Sequence, residues 1–454
     1  MTDGAALPID PGSLIRSRRY RVLLVLAAVV GLLVSLASWG FLELVHELQH
    51  WVFVALPGEL GFDEVPAWWP LPVLALAGLL TALAIVRLPG RGGHEPSEGI
   101  KTGAPTQPIE LPGILLAAVA TLGLGLVLGP EGPLIALGSG LAIFAIRLVR
   151  RDAPQPVLAI LAAAGSFAAI ASIFGSPVIG AVIVIEAAGL GGAMLPVILL
   201  PGMLAAGIGS LVFIGMGSWT GLSTSAWALT PLPLPPVSTP HASDFGWTIV
   251  LALAVPVVTF AILELARLVK RLVAVRPFVL TTVAGLAVAC LAIAFHHWTG
   301  QSVDAVLFSG QEAFGSLFKD APTVALSTLW LLLLLKGLAW SVSLGSFRGG
   351  PTFPALFLGA VAGLIAAHLP GFGETQAVAV LMAVGAVSVL RLPLSSVVLA
   401  LLLTSKAGLG VAPLIIVGVV IAYITIEVLY ERRKGPDEAE VDAEIAAATS
   451  GVSR

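Results

Sequence analysis

Residues 129–138 read GPEGPLIALG and residues 350–359 read GPTFPALFLG. Both carry GPxxP, three further residues and then LG, and the second copy follows the first at an offset of 221 positions, 129 against 350. A Gly-Pro pair ends one helix, and the Pro three places further on suits the first turn of the next, where its missing N–H leaves nothing unpaired. A second pair of Pro-started helices follows, SPVIGAVIVI from Ser176 and LPLSSVVLAL from Leu392, with Pro177 and Pro393 at an offset of 216. The halves therefore differ by a short insertion or deletion. Two halves with helices interrupted at matching positions point to a secondary transporter whose binding site lies at the repeat interface.

The 454 residues around these segments are 57% apolar and 11% charged, with a mean hydropathy of +1.02. A soluble chain carries roughly 25% charged residues, so the composition is that of a multi-spanning membrane protein. Apolar runs recur near 22–44, 70–88, 111–128, 133–149, 156–174, 177–190 and 194–216, and again near 247–266, 278–296, 323–345, 353–369, 376–391, 393–404 and 410–430. Some reach the roughly 20 residues that span a hydrocarbon layer, and the shorter ones meet Gly-Pro or Ser-Pro breaks. Such breaks are tolerated at bilayer depth only where protein or a cavity covers the freed backbone. The expected fold is an all-α polytopic membrane protein of two inverted repeats with tilted and broken helices.

The first apolar run, from about Arg21 to Leu44, is too long for a signal-peptide core and is expected to remain as the first span. Arg16, Arg18, Arg19 and Arg21 precede it, and Arg432, Arg433 and Lys434 follow the last. The positive-inside rule then places both termini in the cytoplasm, with the clusters at Arg147, Arg150, Arg151 and at Arg267, Lys270, Arg271, Arg276 on the same side. The expected organisation is a cytoplasmic segment 1–20, a first repeat 21–216, a Pro-rich connecting loop 217–245, a second repeat 246–431 and an acidic cytoplasmic tail 432–454. A net charge of −3 points to no nucleic-acid partner. The single Cys290 forms no intrachain disulfide, and no cofactor motif such as a phosphate-cradling loop is present.

Glu131 places a carboxylate at bilayer depth, where ionisable groups are costly, beside the open N–H groups and positive dipole end of a new helix. It can fill that anion site itself and leave when protonated or displaced. The competing reading is a Glu that caps its own helix. The N–H groups near Thr352 and Phe353 are the matching donors of the second half, or else that segment is a packing kink. Lys336, central in LLLLLKGLAW, either biases an ion path positive or partners a buried carbonyl or carboxylate. Glu186 in VIVIEAAG is a candidate proton site unless it reaches the interface. His46, Glu47 and His50 spell HELQH, a match to the zinc-binding HExxH pattern, which keeps an intramembrane metalloprotease as a distant alternative. That site needs a third ligand, and no acidic-glycine motif lies in a later span.

The segments VLGPEGPLIALG, FGSPVIGAVIVIE, SFRGGPTFPALFLGAVAG and GRGGHEPSEG (90–99) resemble those of the CLC chloride channel and chloride/proton exchanger family, over roughly residues 22–430. The likeness is greatest to a divergent bacterial branch of ion-transport proteins. The resemblance implies a homodimer in the bacterial plasma membrane, each subunit having its own anion path, with chloride the default ion. GPEGP is similar to the family's GREGP, which implies that Glu131 is the gate and, in an exchanger, part of the proton route; Pro130 replaces the usual basic residue. GGHEP (92–96) falls where the family has GSGIP, so Gly93 takes the place of the anion-contacting Ser, with His94 and Glu95 beside it. GPTFP resembles GxFxP with the aromatic displaced by one, so Thr352 takes the Phe position.

The inner proton glutamate of the exchangers aligns with Ala187, next to Glu186. The resemblance implies an anion-contacting Tyr towards the end of the chain, for which Tyr430 is the expected residue and Tyr423 the other candidate. The expected anion contacts are thus Gly93, His94, Gly129, Pro130, Gly132, Gly350, Pro351, Thr352, Phe353 and Tyr430. The resemblance implies an ion transporter and no enzyme.

Overall fold

In a bilayer a backbone must satisfy its own N–H and C=O groups, and each long apolar run accordingly folds as helix. The computed structural model describes residues 11–99, 105–189, 191–192, 195–220, 230–237, 239–311, 313–320 and 324–433. The first half contributes α1 (Arg18–His50), α2 (Pro70–Arg87), α3 (Leu111–Gly123), α4 (Glu131–Val149), α5 (Gln155–Phe174), α6 (Pro177–Ala187) and α7 (Leu195–Thr220). The second contributes α8 (Ala242–Val275), α9 (Pro277–Thr299), α10 (Leu326–Ser346), α11 (Thr352–Ala366), α12 (Glu374–Leu390), α13 (Pro393–Leu403) and α14 (Ala412–Arg433). Each apolar run of the sequence corresponds to one of these helices. Among the described residues nine helices are long and apolar enough to cross a membrane, and five shorter apolar ones fill in between, α3, α6, α11, α12 and α13.

The breaks fall where the chemistry of the chain requires them. Gly175 ends α5 with φ +62, and Ser176 then caps α6, its Oγ accepting the Ile179 N–H at 3.5 Å. Pro177 and Pro393 stand at the first position of α6 and α13, where a missing donor is harmless. The connecting segment is shorter than expected, because α7 runs to Thr220 and α8 starts at Ala242. What is described of it is pinned to the second half: Leu232 N–H donates to Leu403 O at 2.7 Å and Val237 N–H to Ala407 O at 2.9 Å. The acidic tail lies outside the described residues from position 434 onward.

The LG that closes the repeated motif makes a helix contact in each half. A Cβ on Gly138 of α4 would overlap the Gly165 carbonyl of α5. Its counterpart, Gly359 of α11, would put a Cβ 2.8 Å from Met382 Cα of α12. Lipid tails supply little hydrophobic drive between helices, so close backbone approach at small residues holds such pairs together. The counterparts α6 and α13 also pack against each other, as expected of repeats that meet on a common axis. Replacing Gly165 by Leu is expected to pry α4 from α5 and destabilise the protein by about 2 kcal/mol, read as a lower midpoint in thermal unfolding in detergent.

Candidate functional site

The two interrupted segments meet at their glycines. Gly129 N–H donates to Gly350 O at 2.7 Å and Gly350 N–H to Gly129 O at 2.5 Å, an antiparallel bridge between counterpart residues. A residue pairs reciprocally with its own counterpart only on a two-fold axis, so this bridge marks the axis that relates the halves. Pro130 and Pro351, counterparts again, stand immediately before α4 and α11.

Glu131 is the first residue of α4 and is fully buried. Helical side chains tilt towards their own N-terminus, so the first residue projects its carboxylate past the end of its helix. That direction leads to the partner repeat. Glu131 Oε1 accepts the Thr352 N–H at 2.8 Å and the Phe353 N–H at 3.1 Å, the first two amides of α11. The carboxylate therefore sits on the helix start of the other half. Its Oε2 and the Thr352 hydroxyl are buried with no hydrogen-bond partner among the described residues. A Cβ at Gly129 or at Gly350 would overlap Oε2, so both glycines are needed for the carboxylate to lie there. The Phe353 ring is fixed by stacking on Phe174, with centroids 5.5 Å apart and planes 5° from parallel.

A cavity of about 540 Å³ adjoins this point, lined by Gly132, Gly349 and Pro351 from the two breaks and by Gly93 and His94 from the Gly-rich loop. Gly93 has φ +91, a region that strains a side-chain-bearing residue, which accounts for glycine at that position. His94 Nε2 hydrogen-bonds the Gly99 carbonyl at 3.0 Å and so braces its own loop.

Other expected residues are engaged elsewhere. Lys336, fully buried, donates to the carbonyls of Ala305, Val306, Leu307 and Phe308 at 2.7 to 3.3 Å, and its Nζ lies 4.9 Å from the Phe357 ring centroid. Of its two readings this is the partner for buried carbonyls. It also supports the site, because Phe308 N–H donates to Gly125 O at 3.0 Å, four residues before Gly129. The Tyr430 hydroxyl accepts from Arg267 at 2.7 Å, with the Arg267 and Arg391 guanidiniums 4.8 and 4.6 Å from its ring centroid. Neither Tyr430 nor Tyr423 lines the 540 Å³ cavity.

Glu186, half-buried, accepts from Leu394 N–H at 2.8 Å, Ser395 N–H at 2.7 Å and Ser395 Oγ at 2.6 Å, the start of α13. It thus repeats the pattern of Glu131, a first-half carboxylate on a second-half helix start. His46, Glu47 and His50 occupy the last turns of α1, and among the described residues no group of three or more His, Cys, Asp or Glu is arranged to hold a metal ion. One basic residue escaped the sequence reading, Arg348, buried just before the Gly349-Gly350 break, and Lys270, read there only as part of a basic cluster, has its ammonium ion-paired with Glu95. The isolated Arg in SFRGGP was the available signal for Arg348.

Comparison with known proteins agrees with this architecture. The "Putative ion-transport protein YfeO" of Escherichia coli O7:K1 is 28% identical over 362 residues, covering 78% of this chain and 81% of that protein. Its Shigella boydii serotype 4 namesake is 29% identical over the same shares. Among solved structures, a slow cyanobacterial Cl⁻/H⁺ antiporter superposes with a TM-score of 0.71 at 19% identity, covering 90% of this chain and 94% of that one. A CLC-type fluoride/proton antiporter superposes with a TM-score of 0.62 at 18% identity, covering 89% and 95%. The profile of the voltage gated chloride channel family matches residues 78–427. With that match over most of its length and its helices arranged as in CLC transporters, the chain is a multi-pass membrane protein that belongs to the voltage gated chloride channel family.

Proposed function

We propose that the protein moves small anions across the membrane, chloride first among them, by a path in each chain that Glu131 closes. The observation that carries this reading is the Glu131 carboxylate on the Thr352 and Phe353 amides. Two open N–H groups and a positive helix end hold one negative charge, and a diffusible anion and the carboxylate exclude one another there. Protonation removes the charge that the amides hold, so acid releases the side chain and opens the site. Gly129, Gly132, Gly350 and Pro351 shape the surroundings, and Gly93 and His94 flank the cavity beside them. Lys336 acts by fixing the loop at 305–308.

Proton-coupled exchange is the second reading. The Cl⁻/H⁺ and fluoride/proton antiporters among the structural neighbours favour it, and Glu186, held by three donors, is the residue for an inner proton step. Both readings use a homodimer in the cell membrane with both termini cytoplasmic. The basic ends of α4 and α8 (Arg147, Arg150, Arg151, Arg267, Lys270 and Arg271) support that orientation.

Proteoliposomes preloaded with chloride or fluoride, with external pH recorded during efflux, test the proposal. Proton uptake driven uphill by the anion gradient establishes exchange, anion flux without it establishes a channel, and absence of flux for both anions refutes the proposal. Wild-type flux is expected to rise as pH falls, because protonation frees Glu131. In Glu131→Ala the pH dependence should vanish with any proton coupling; a pH response of wild-type size in that variant would remove Glu131 from the gate. Gly350→Ala should expel the carboxylate while keeping the amide bridge, and so reproduce the weak pH dependence of Glu131→Ala in the same assay. If exchange is found, Glu186→Gln should lower the protons moved per anion at least several-fold while anion flux continues.

A further inference from the structure

The loop between α2 and α3 carries a carboxylate, Glu95, that is held by cations. Gly90, Arg91, Gly92 and Gly93 all have positive φ, from 49 to 91°, and the tight coil they form is a wall between two cavities. One is the 540 Å³ cavity beside Gly132 and Pro351. The other, of about 670 Å³, shares Gly90, Gly93 and Glu110 with it and is lined also by Glu95, Lys270, Thr281, Ser346 and Arg348.

The second cavity is lined by charges of both signs, Arg91, Lys270 and Arg348 with Glu95 and Glu110. Lys270 comes from α8, and Arg348 from the turn that leads into Gly349 and Gly350. The Arg348 side chain is 10% exposed; its Nη1 donates to Phe347 O at 3.1 Å and its Nε to Arg91 O at 3.4 Å. Nη2 faces Glu95 Oε1 at 3.8 Å, beyond hydrogen-bond distance. Glu95 is ion-paired with Lys270, which also donates to Glu98 at 3.5 Å. The hydroxyls of Thr281 and Ser346 are buried on the same wall and have no hydrogen-bond partner among the described residues. Orphaned buried hydroxyls are unfavourable, and two of them beside two cations make a donor set larger than one tethered carboxylate uses.

We propose that Lys270, Arg348, Thr281 and Ser346 form a second binding site for a small monovalent anion, at which Glu95 is the built-in competitor. The inference rests on the anion-transport reading for the ion that arrives, since Arg348 lies two residues from Gly350 and the two cavities share a wall. Binding itself requires no flux. Arg348 also packs against Gly92, where a Cβ would stand 3.1 Å from Arg348 Cγ, so occupancy of the site bears on the loop that lines the Glu131 cavity.

Calorimetric titration of sodium chloride and sodium fluoride into the purified full-length protein, in chloride-free gluconate buffer, tests the site. Glu95→Gln removes a tethered competitor of millimolar effective concentration, and one anion is expected to bind about tenfold more tightly than in wild type. Glu95 and Lys270 are both partly exposed, so Glu95→Gln and Glu95→Gln/Lys270→Met leave the buried core intact. The double variant should lose the gain, as should Glu95→Gln/Thr281→Val, which deletes an orphaned hydroxyl at nearly constant volume. Unchanged affinity in Glu95→Gln, or a gain that survives both double variants, overturns the inference and leaves Glu95 as an ion pair that merely fastens the loop. The gain without transport in wild-type proteoliposomes would refute the transport reading and leave the site standing; transport without the gain would do the reverse.

Discussion

A carboxylate of one repeat on the helix start of the other is the interaction on which the centre of the molecule depends. An interrupted helix leaves amides open at a depth where water is scarce, and each unsatisfied group there is expensive. Glu131 satisfies two of them on α11 and Glu186 two on α13. The two breaks are thus stabilised by carboxylates that reach across from the other repeat. First-half acids serve second-half helices in both cases, so the pseudo-symmetry of the backbone coexists with a one-way traffic of charge.

Much of this fold was legible in the sequence because its decisive chemistry is local. Proline at the first turn, glycine at a helix end and apolar runs of a given length act through neighbouring residues, and the breaks at Gly129-Pro130 and Gly350-Pro351 followed directly. The partner of Glu131 was less accessible. A carboxylate at the first helical position can cap its own helix or reach beyond it, and only the apposition of Gly129 with Gly350 decides between the two. Lys336 shows the same limit: a lone cation in an apolar run announces a buried partner, but four carbonyls become that partner because the chain turns at Phe308 with φ +58. Nothing in the residue types at 305–308 signals that turn. Tyr430 was aligned by resemblance near the end of the chain, and its hydroxyl is taken up by Arg267.

The Gly-rich loop explains how a family position can change residue without losing its place. The resemblance puts a hydroxyl where this chain has Gly93, whose left-handed backbone disfavours any side chain. Other donors lie across the loop, the hydroxyls of Thr281 and Ser346 and the two cations near Glu95. Both hydroxyls belong to the helices behind the loop, and the cavity beside the interrupted helices lies on the loop's other side.

The reciprocal bridge between Gly129 and Gly350 constrains how such a molecule can move. It joins the two repeats where their counterpart residues meet, and both glycines are buried. Sliding or separating the repeats at this point would break both bonds with no water at hand to replace them. A seam pinned in this way leaves rotation about the bridge and rearrangement of the side chains around it as the motions that cost least.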